Sequence, residues 1–398
     1  MVSFRRYWFL MWYFRSPLIA FGEDALSHLD QNICSRAFIV TDAVMRDIGH
    51  LQHVIDRLQG SGVVCDSFAE VEPDPGVEIV QRCAARMQEF APDWVIGLGG
   101  GSCLDAAKAA WFLYERPDVD LAAVTPFETF GLRNKARFVT IPTTAGSGAE
   151  VTAAAVITDI EKIRKMEVAS FELIPDVSVV DPWFSSQLSP RLTADTGIDA
   201  MTHAVEGFTS TFANDFSDAL CLHAARLVFE YLPRAYHKGM HDPEAREKMS
   251  NAATMAALGM GNSHIALAHA MGHSAGTVFG LPHGRLTGMF LPYAIEFTAK
   301  GGAGRYLELA HGLGWAADDE AQAANMIVLA LRNLLREVEQ PLSLKEAGIS
   351  KEDFAANLDS LCDRMEMDSA LATGRRFPYR EQSMHLFEYA YEGKSIDF

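Results

Sequence analysis

The chain has 398 residues, 49% of them hydrophobic, which is enough for two domains with full cores and is the composition of a folded globular enzyme. Acidic side chains outnumber basic ones, 52 to 34, for a formal net charge of −18; this argues against nucleic acid and anionic membrane surfaces as partners, since both need clustered Lys and Arg. The six cysteines are scattered without a CxxC pair, which excludes a disulfide-stapled scaffold and places the chain in a reducing cytoplasm.

At the N-terminus, Arg5 and Arg6 precede an apolar run over residues 7–14. It is too short and too aromatic for a membrane helix of about 20 residues, and no small-residue cleavage site follows it. It reads as an aromatic edge strand, with an oligomer contact as the alternative use of its rings. From there to about residue 185, short β-branched runs alternate with helical periodicity. Strands are predicted at 37–42, 63–71, 93–101, 136–144, 153–159 and 177–182, and helices at 76–90 and 104–114. Such alternation predicts a mostly parallel sheet with helices on both faces. Beyond 189–197 the strand signals fade into long amphipathic helices, and "KGGAGR" (300–305) reads as a loop between two of them. The chain is therefore expected to divide into an α/β domain, 1–187, and an all-α domain, 188–398, with a ligand cleft between them.

In "VIGLGGGSCLDAAK" (95–108) a buried strand runs into Gly97, Gly99, Gly100, Gly101 and Ser102, and a helix starts near Leu104. Glycines allow close backbone approach and the helix N-terminus offers free N–H groups, so the loop suits a phosphate or pyrophosphate. It departs from the dinucleotide fingerprint, having Ser at 102 and no acidic residue about 20 positions later, and a tight strand–helix turn is the competing reading. Asp42, ending "AFIVTD", is the nearest candidate ribose acceptor, or simply a capping Asp. A second polar loop, "PTTAGSGAEVT" (142–152), offers the hydroxyls of Thr143, Thr144 and Ser147. Two such loops after strands of one sheet are where ligands of open α/β sheets bind.

"GIDAMTHAVE" (197–206) carries Asp199 and His203 four residues apart, hence on one helix face with Cβ atoms roughly 5–6 Å apart. "HIALAHAMGHSAGTVFGLPHG" (264–284) concentrates four of the chain's 13 histidines, with His269 and His273 again at i,i+4 and His283 in a loop. One carboxylate and several imidazoles suit a divalent transition metal, Fe²⁺ or Zn²⁺, rather than Ca²⁺ or Mg²⁺. His264 lies off that face and reads as structural; Asp195 reads as a residue near the helix start. A divalent ion can stabilise an alkoxide, whose carbon can then pass hydride to a nicotinamide, so metal and cofactor loop together suggest alcohol dehydrogenase chemistry.

These segments resemble the iron-containing (group III) alcohol dehydrogenase family over nearly the whole chain. "GGGSCLDAAK" is similar to its GGGSxxDxAK loop, "PTTAGSGAEVT" to TTAGTGSEVT, "LIPDVSVVDP" to LxPDxAxxDP, and "TGIDAMTHAVEGF" and "LAHAMGHSAGTVFGLPHG" to its two metal segments; "YAYEGKSIDF" resembles its ending. The resemblance implies a dinucleotide-binding α/β domain and a helical domain with the metal in the cleft. It assigns metal ligation to Asp199, His203, His269 and His283, with Fe²⁺ in most members and Zn²⁺ in some, and makes His273 a non-ligand residue in proton relay. Asp42 becomes the acidic residue of NAD-preferring members. Gly99, Gly100, Gly101, Ser102, Asp105, Thr143, Thr144, Ser147 and Lys165 become cofactor contacts, although a charged strand-to-helix loop is the plainer reading of Lys165. Ser147 and Ala149 stand where Thr and Ser are common, and the aromatic N-terminus is longer than usual.

The expected reaction is NAD-dependent, metal-dependent interconversion of small primary alcohols or diols and aldehydes, in a homodimer or larger homo-oligomer. A hydroxyacid–oxoacid transhydrogenase is the near alternative. A lyase of the dehydroquinate synthase type is the alternative from another class, disfavoured because only Arg285 is basic near the metal segments. Phe279 and Met260 suggest an apolar substrate lining.

Overall fold

The computed structural model describes residues 13–31, 34–159, 164–302 and 304–398. Eight strands are present among them: β1 (Leu18–Phe21), β2 (Arg36–Asp42), β3 (Val64–Val71), β4 (Trp94–Gly99), β5 (Arg137–Pro142), β6 (Ala154–Asp159), β7 (Arg164–Ala169) and β8 (Val177–Val180). Six of them pair in parallel in the order β1-β8-β5-β4-β2-β3. Parallel strands need crossover connections, and here helices supply most of them: α1 (Ala43–Asp47) and α2 (His50–Gly60) link β2 to β3, α3 (Val77–Phe90) links β3 to β4, and α4 (Gly101–Glu115) links β4 to β5. Every residue of β4 is buried, as expected of a central strand covered on both faces, which is why its sequence is a continuous apolar run.

Two expectations are corrected. The run 153–159 does not join the parallel sheet; β6 pairs antiparallel with β7 as a separate hairpin, Ala154 opposite Ala169 and Thr158 opposite Lys165. The physical reason lies in its one-sided burial: Ala155, Ile157 and Val168 face inward while Val156, Lys165 and Glu167 are exposed, whereas the central parallel strands β2, β4 and β5 are buried along most of their length. Of the aromatic edge strand expected at 7–14, residues 7–12 lie outside the described residues and Tyr13 and Phe14 form no strand. The described edge is β1, with Leu18 and Phe21 exposed.

From α5 (Pro182–Ser185) onward the chain is helical: α6 (Pro190–Thr209), α7 (Asp215–Lys238), α8 (Pro243–Gly261), α9 (Leu267–Phe279), α10 (His283–Lys300), α11 (Tyr306–Gly312), α12 (Glu320–Glu337), α13 (Lys351–Glu366) and α14 (Arg380–Glu392). Their apolar faces meet in one core containing Ile198, Met201, Leu232, Met249, Phe290, Leu331 and Phe387. The two halves meet along the 142–152 loop. Gly148 there has φ +67°, and a Cβ on it would lie 1.9 Å from Ala257 Cβ of α8, so only glycine fits. Beside it the buried Glu150 accepts from Thr254 Oγ1 of α8 at 2.8 Å. Among the described residues no helix is long and apolar enough to cross a membrane, and all six cysteines are free.

Candidate metal centre and cofactor cleft

Helix α6 starts cleanly: Ser189 caps it, accepting from Leu192 N–H, and Pro190 occupies the first turn. Asp199, His203 and Glu206 then fall at i, i+4 and i+7 on one buried face. Asp195 is not a start residue, because the helix begins five residues earlier; it holds Arg285 of α10 through two hydrogen bonds of 3.0 and 2.9 Å. This pair and the small Gly284, whose Cβ would come within 2.8 Å of Asp199 Cβ, bring the start of α10 against α6.

The expected ligands converge. Asp199, His203 and His269 each place a donor atom within 4.8 Å of the others, and His283 Nε2 lies 3.5 Å from Asp199 Oδ1. The His203 and His269 rings stack at 4.8 Å. His203 Nδ1 and His269 Nε2 are buried with no hydrogen-bond partner, a costly state for a polar atom unless something else binds there. One carboxylate with three imidazoles, two of them carrying orphaned nitrogens, fits a transition-metal cation. Burial pushes the Asp199 carboxyl up, but the surrounding imidazoles outweigh it and hold it below the ordinary range. Burial pushes His269 well down and His283 down to about 4, keeping both neutral, as ligation requires.

Three residues not singled out in the sequence complete the set. Glu206 Oε2 lies 2.6 Å from His269 Nδ1, and its two oxygens accept the N–H groups of Ala266 and Ala268 at the start of α9. With both oxygens accepting, the Nδ1 hydrogen belongs to His269 and Nε2 presents its lone pair. Burial raises the Glu206 carboxyl to about 7 despite these donors. Thr287 Oγ1 donates to Asp199 Oδ1 at 2.9 Å. Asp368, ahead of the short turn Ser369–Thr373, places Oδ2 at 2.8 Å from His273 Nδ1. Burial alone would raise the Asp368 carboxyl; the bond to His273 reverses this and holds it low. His273 itself stacks on His283 at 5.2 Å with its side chain 39% exposed, beside the Asp199 cluster and open to solvent. His264 stays outside, edge-on to Phe212.

The cofactor candidates gather at the carboxyl ends of β2, β4 and β5. Helix α4 begins at Gly101 with no side chain capping it, leaving the N–H groups around Gly100, Gly101 and Ser102 open to an anion. Gly99 has φ +148°, and a Cβ on it would collide with Cys103 at 2.5 Å. Thr143 N–H donates to Gly99 O at 3.0 Å; Thr144 and Ser147 come within 3.2 Å of where Cβ atoms on Gly100 and Gly101 would sit. The two loops thus form one polar pocket. The same loop touches α6, since a Cβ on Gly146 would strike Thr196 O at 2.4 Å, three residues before Asp199.

Asp42 ends β2 next to this pocket, where it also does the plainer job of capping α1, accepting from Met45 N–H at 2.8 Å. Asp105 is not open to a ligand on both oxygens: Oδ2 accepts Val156 N–H at 3.0 Å, and burial raises it to about 6. Lys108, fully buried, donates to Thr152 O and Ala154 O at 2.8 and 2.9 Å, so α4 carries the β6–β7 hairpin. Lys165 lies on β7 rather than in a strand-to-helix loop and pairs with Asp74 at 2.6 Å. Phe279 packs on the helical core, and Met260 backs onto Gly207, one residue past Glu206.

Comparison with known proteins bears on this arrangement. Residues 16–182 match iron-containing alcohol dehydrogenase, and residues 193–391 match the C-terminal part of the Fe-containing alcohol dehydrogenase family. The chain belongs to the iron-containing alcohol dehydrogenase family. It is 35% identical to the NADPH-dependent butanol dehydrogenase of Clostridium saccharobutylicum over 96% of this chain and 98% of that one. The iron-containing alcohol dehydrogenase from Thermococcus thioreducens superposes with a TM-score of 0.87 at 30% identity, covering 96% and 100% of the two chains. Sulfoacetaldehyde reductase from Bifidobacterium kashiwanohense, solved with NAD+, superposes with a TM-score of 0.85 at 28% identity, covering 96% and 99%. The chain spans 43–47% of the longer aldehyde-alcohol dehydrogenases it also matches. This iron-type alcohol dehydrogenase is an oxidoreductase acting on alcohols, and its α/β plus all-α fold is that of the family.

Proposed function

We propose that the protein is an NAD-dependent, divalent-metal-dependent dehydrogenase of small primary alcohols or diols, working on either the alcohol or the aldehyde side. The observation that supports it most is the contact of the 142–152 loop with α6, where Gly146 packs on Thr196, three residues before Asp199 of the clustered Asp199, His203 and His269. Asp199, His203, His269 and His283 would hold Fe²⁺ or Zn²⁺, and residues 99–102 with Thr143, Thr144 and Ser147 would hold NAD. The cation would supply polarisation of the alcohol oxygen and NAD the acceptor for hydride.

The chain's own side chains do the rest. His273, fixed through Nδ1 by Asp368, keeps Nε2 for the proton given up by the substrate hydroxyl. Glu206 and Thr287 hold His269 and Asp199 in ligating orientation. Asp42, acidic at the ribose end, favours NAD over a cofactor with a 2′-phosphate. Arg285, the basic residue nearest the ligands in sequence, is committed to Asp195, which disfavours a lyase that needs free cations for carboxylate and phosphate. A small-molecule partner, a homo-oligomer and a cytoplasmic setting complete the reading.

The test is absorbance at 340 nm with NAD+ and a panel of primary alcohols and diols, before and after chelation and readdition of Fe²⁺ or Zn²⁺. NADH formation abolished by chelator and restored by one ion supports the proposal. Turnover that needs an oxoacid but no added NAD+ would replace it with the transhydrogenase.

A further inference from the structure

We propose that Cys103 is a positioning residue that holds the Asp42 carboxylate in the orientation that discriminates NAD from NADP, an inference resting on the NAD reading above. Asp42 stands at the end of β2, where Thr41 Oγ1 donates to Leu98 O at 2.7 Å and fastens the strand end against β4. One oxygen, Oδ1, is held by Met45 N–H at 2.8 Å. The other, Oδ2, lies 3.2 Å from Sγ of Cys103, in the first turn of α4. Two donors on two different oxygens set the carboxylate plane; either alone leaves it free to turn about its Cβ–Cγ bond.

The thiol belongs to the anion pocket as much as to Asp42. Cys103 is 3% exposed, and its Cβ and Sγ fill the space that a side chain on Gly99 would need. It therefore joins the glycine turn, where a pyrophosphate would sit, to the carboxylate that would meet the adenosine ribose. Burial and the neighbouring carboxylate push the thiol's ionisation well above the usual range, so it remains a donor. An oriented carboxylate accepts two ribose hydroxyls and faces a 2′-phosphate with its charge. A turning one does both less well, so losing the thiol lowers discrimination rather than binding in general.

The test is equilibrium binding of NAD+ and of NADP+ to the metal-loaded protein, by calorimetry, for wild type, Cys103→Ala, Cys103→Ser, Asp42→Gly and the double variant Asp42→Gly/Cys103→Ala. Loss of one such hydrogen bond should lower the NAD+ to NADP+ affinity ratio about 5-fold in Cys103→Ala. Cys103→Ser, which keeps a donor, should recover most of that ratio. Asp42→Gly should abolish the preference, and adding Cys103→Ala to it should change nothing further. Equal weakening of both cofactors in Cys103→Ala would show a merely structural role and overturn the proposal, as would a ratio change that persists without Asp42. An unchanged ratio in Asp42→Gly would overturn the proposal as well, whereas a wild type that binds NADP+ more tightly than NAD+ would sink the NAD reading itself. If Cys103→Ala does not fold, Cys103→Val removes the donor at similar volume and carries the same comparison.

Discussion

Glu206 Oε2 sits 2.6 Å from Nδ1 of His269 while its carboxylate also closes the start of α9, so one side chain sets both the helix position and the tautomer of His269. Glu206→Gln puts an NH2 group where an oxygen now accepts a backbone N–H, and Glu206→Ala leaves three donors unmet. Outer partners of ligating histidines are worth about 10- to 100-fold in metal affinity, and a loss of that size is expected for both variants. Competition with a chromophoric chelator measures it; unchanged affinity would mean that His269 needs no partner.

Removing the proton path should spare the metal. His273→Ala is expected to lower kcat by about 100-fold, in line with general acid–base catalysis. Asp368→Asn should lower it less, since the imidazole stays while its orientation loosens. Both variants should keep full metal content by elemental analysis. Loss of metal in His273→Ala would make it a ligand and remove it from proton transfer.

If the proposed set binds a cation, the orphaned nitrogens of His203 and His269 should make the metal-free protein the less stable form. At free Fe²⁺ or Zn²⁺ near 100 times its dissociation constant, the holoprotein should gain about 2.7 kcal/mol, seen as a higher melting temperature that depends on metal concentration. Asp199→Asn should erase most of that dependence. A melting temperature indifferent to metal would contradict ligation by this set.

Gly148→Ala combines a left-handed backbone with a Cβ placed 1.9 Å from Ala257 Cβ. Overpacking and strain together should cost about 2–4 kcal/mol, read by denaturant unfolding. A cost near zero would mean that the 142–152 loop moves away from α8 freely.

Asp242 caps α8 and is held down to about 2, first by its hydrogen bonds from Arg234. A carboxyl whose folded value lies below its unfolded one stabilises fully above the ordinary range, and that stability is lost as pH falls toward the folded value. The melting gap between the wild-type apoprotein and Asp242→Asn should therefore narrow from about pH 5 to about pH 3. A constant gap would assign the effect to the cap's shape instead of its charge.

How legible all this was depends on sequence distance. Asp199 with His203, and His269 with His273, are readable because i,i+4 spacing on an apolar helix is a local pattern, and the glycine turn after β4 is local too. Glu206 carried a signal that went unread, since it continues the same face at i+7. Asp368 carried none: it lies 95 residues from His273 and meets it only through the packing of the final helices. The β6–β7 hairpin was missed because its connection, "IEKI", has no turn-forming glycine or asparagine and reads as a charged loop. Asp105 and Lys165 each have a protein partner that only the folded chain reveals.

The seam at Gly148 and Glu150 has a last consequence. Splitting the chain near residue 187 would bare Ala257, strand the buried Glu150 carboxylate without Thr254, and leave Gly146 without Thr196. The α/β and helical halves are thus joined in energy, and heating should melt them in one cooperative transition.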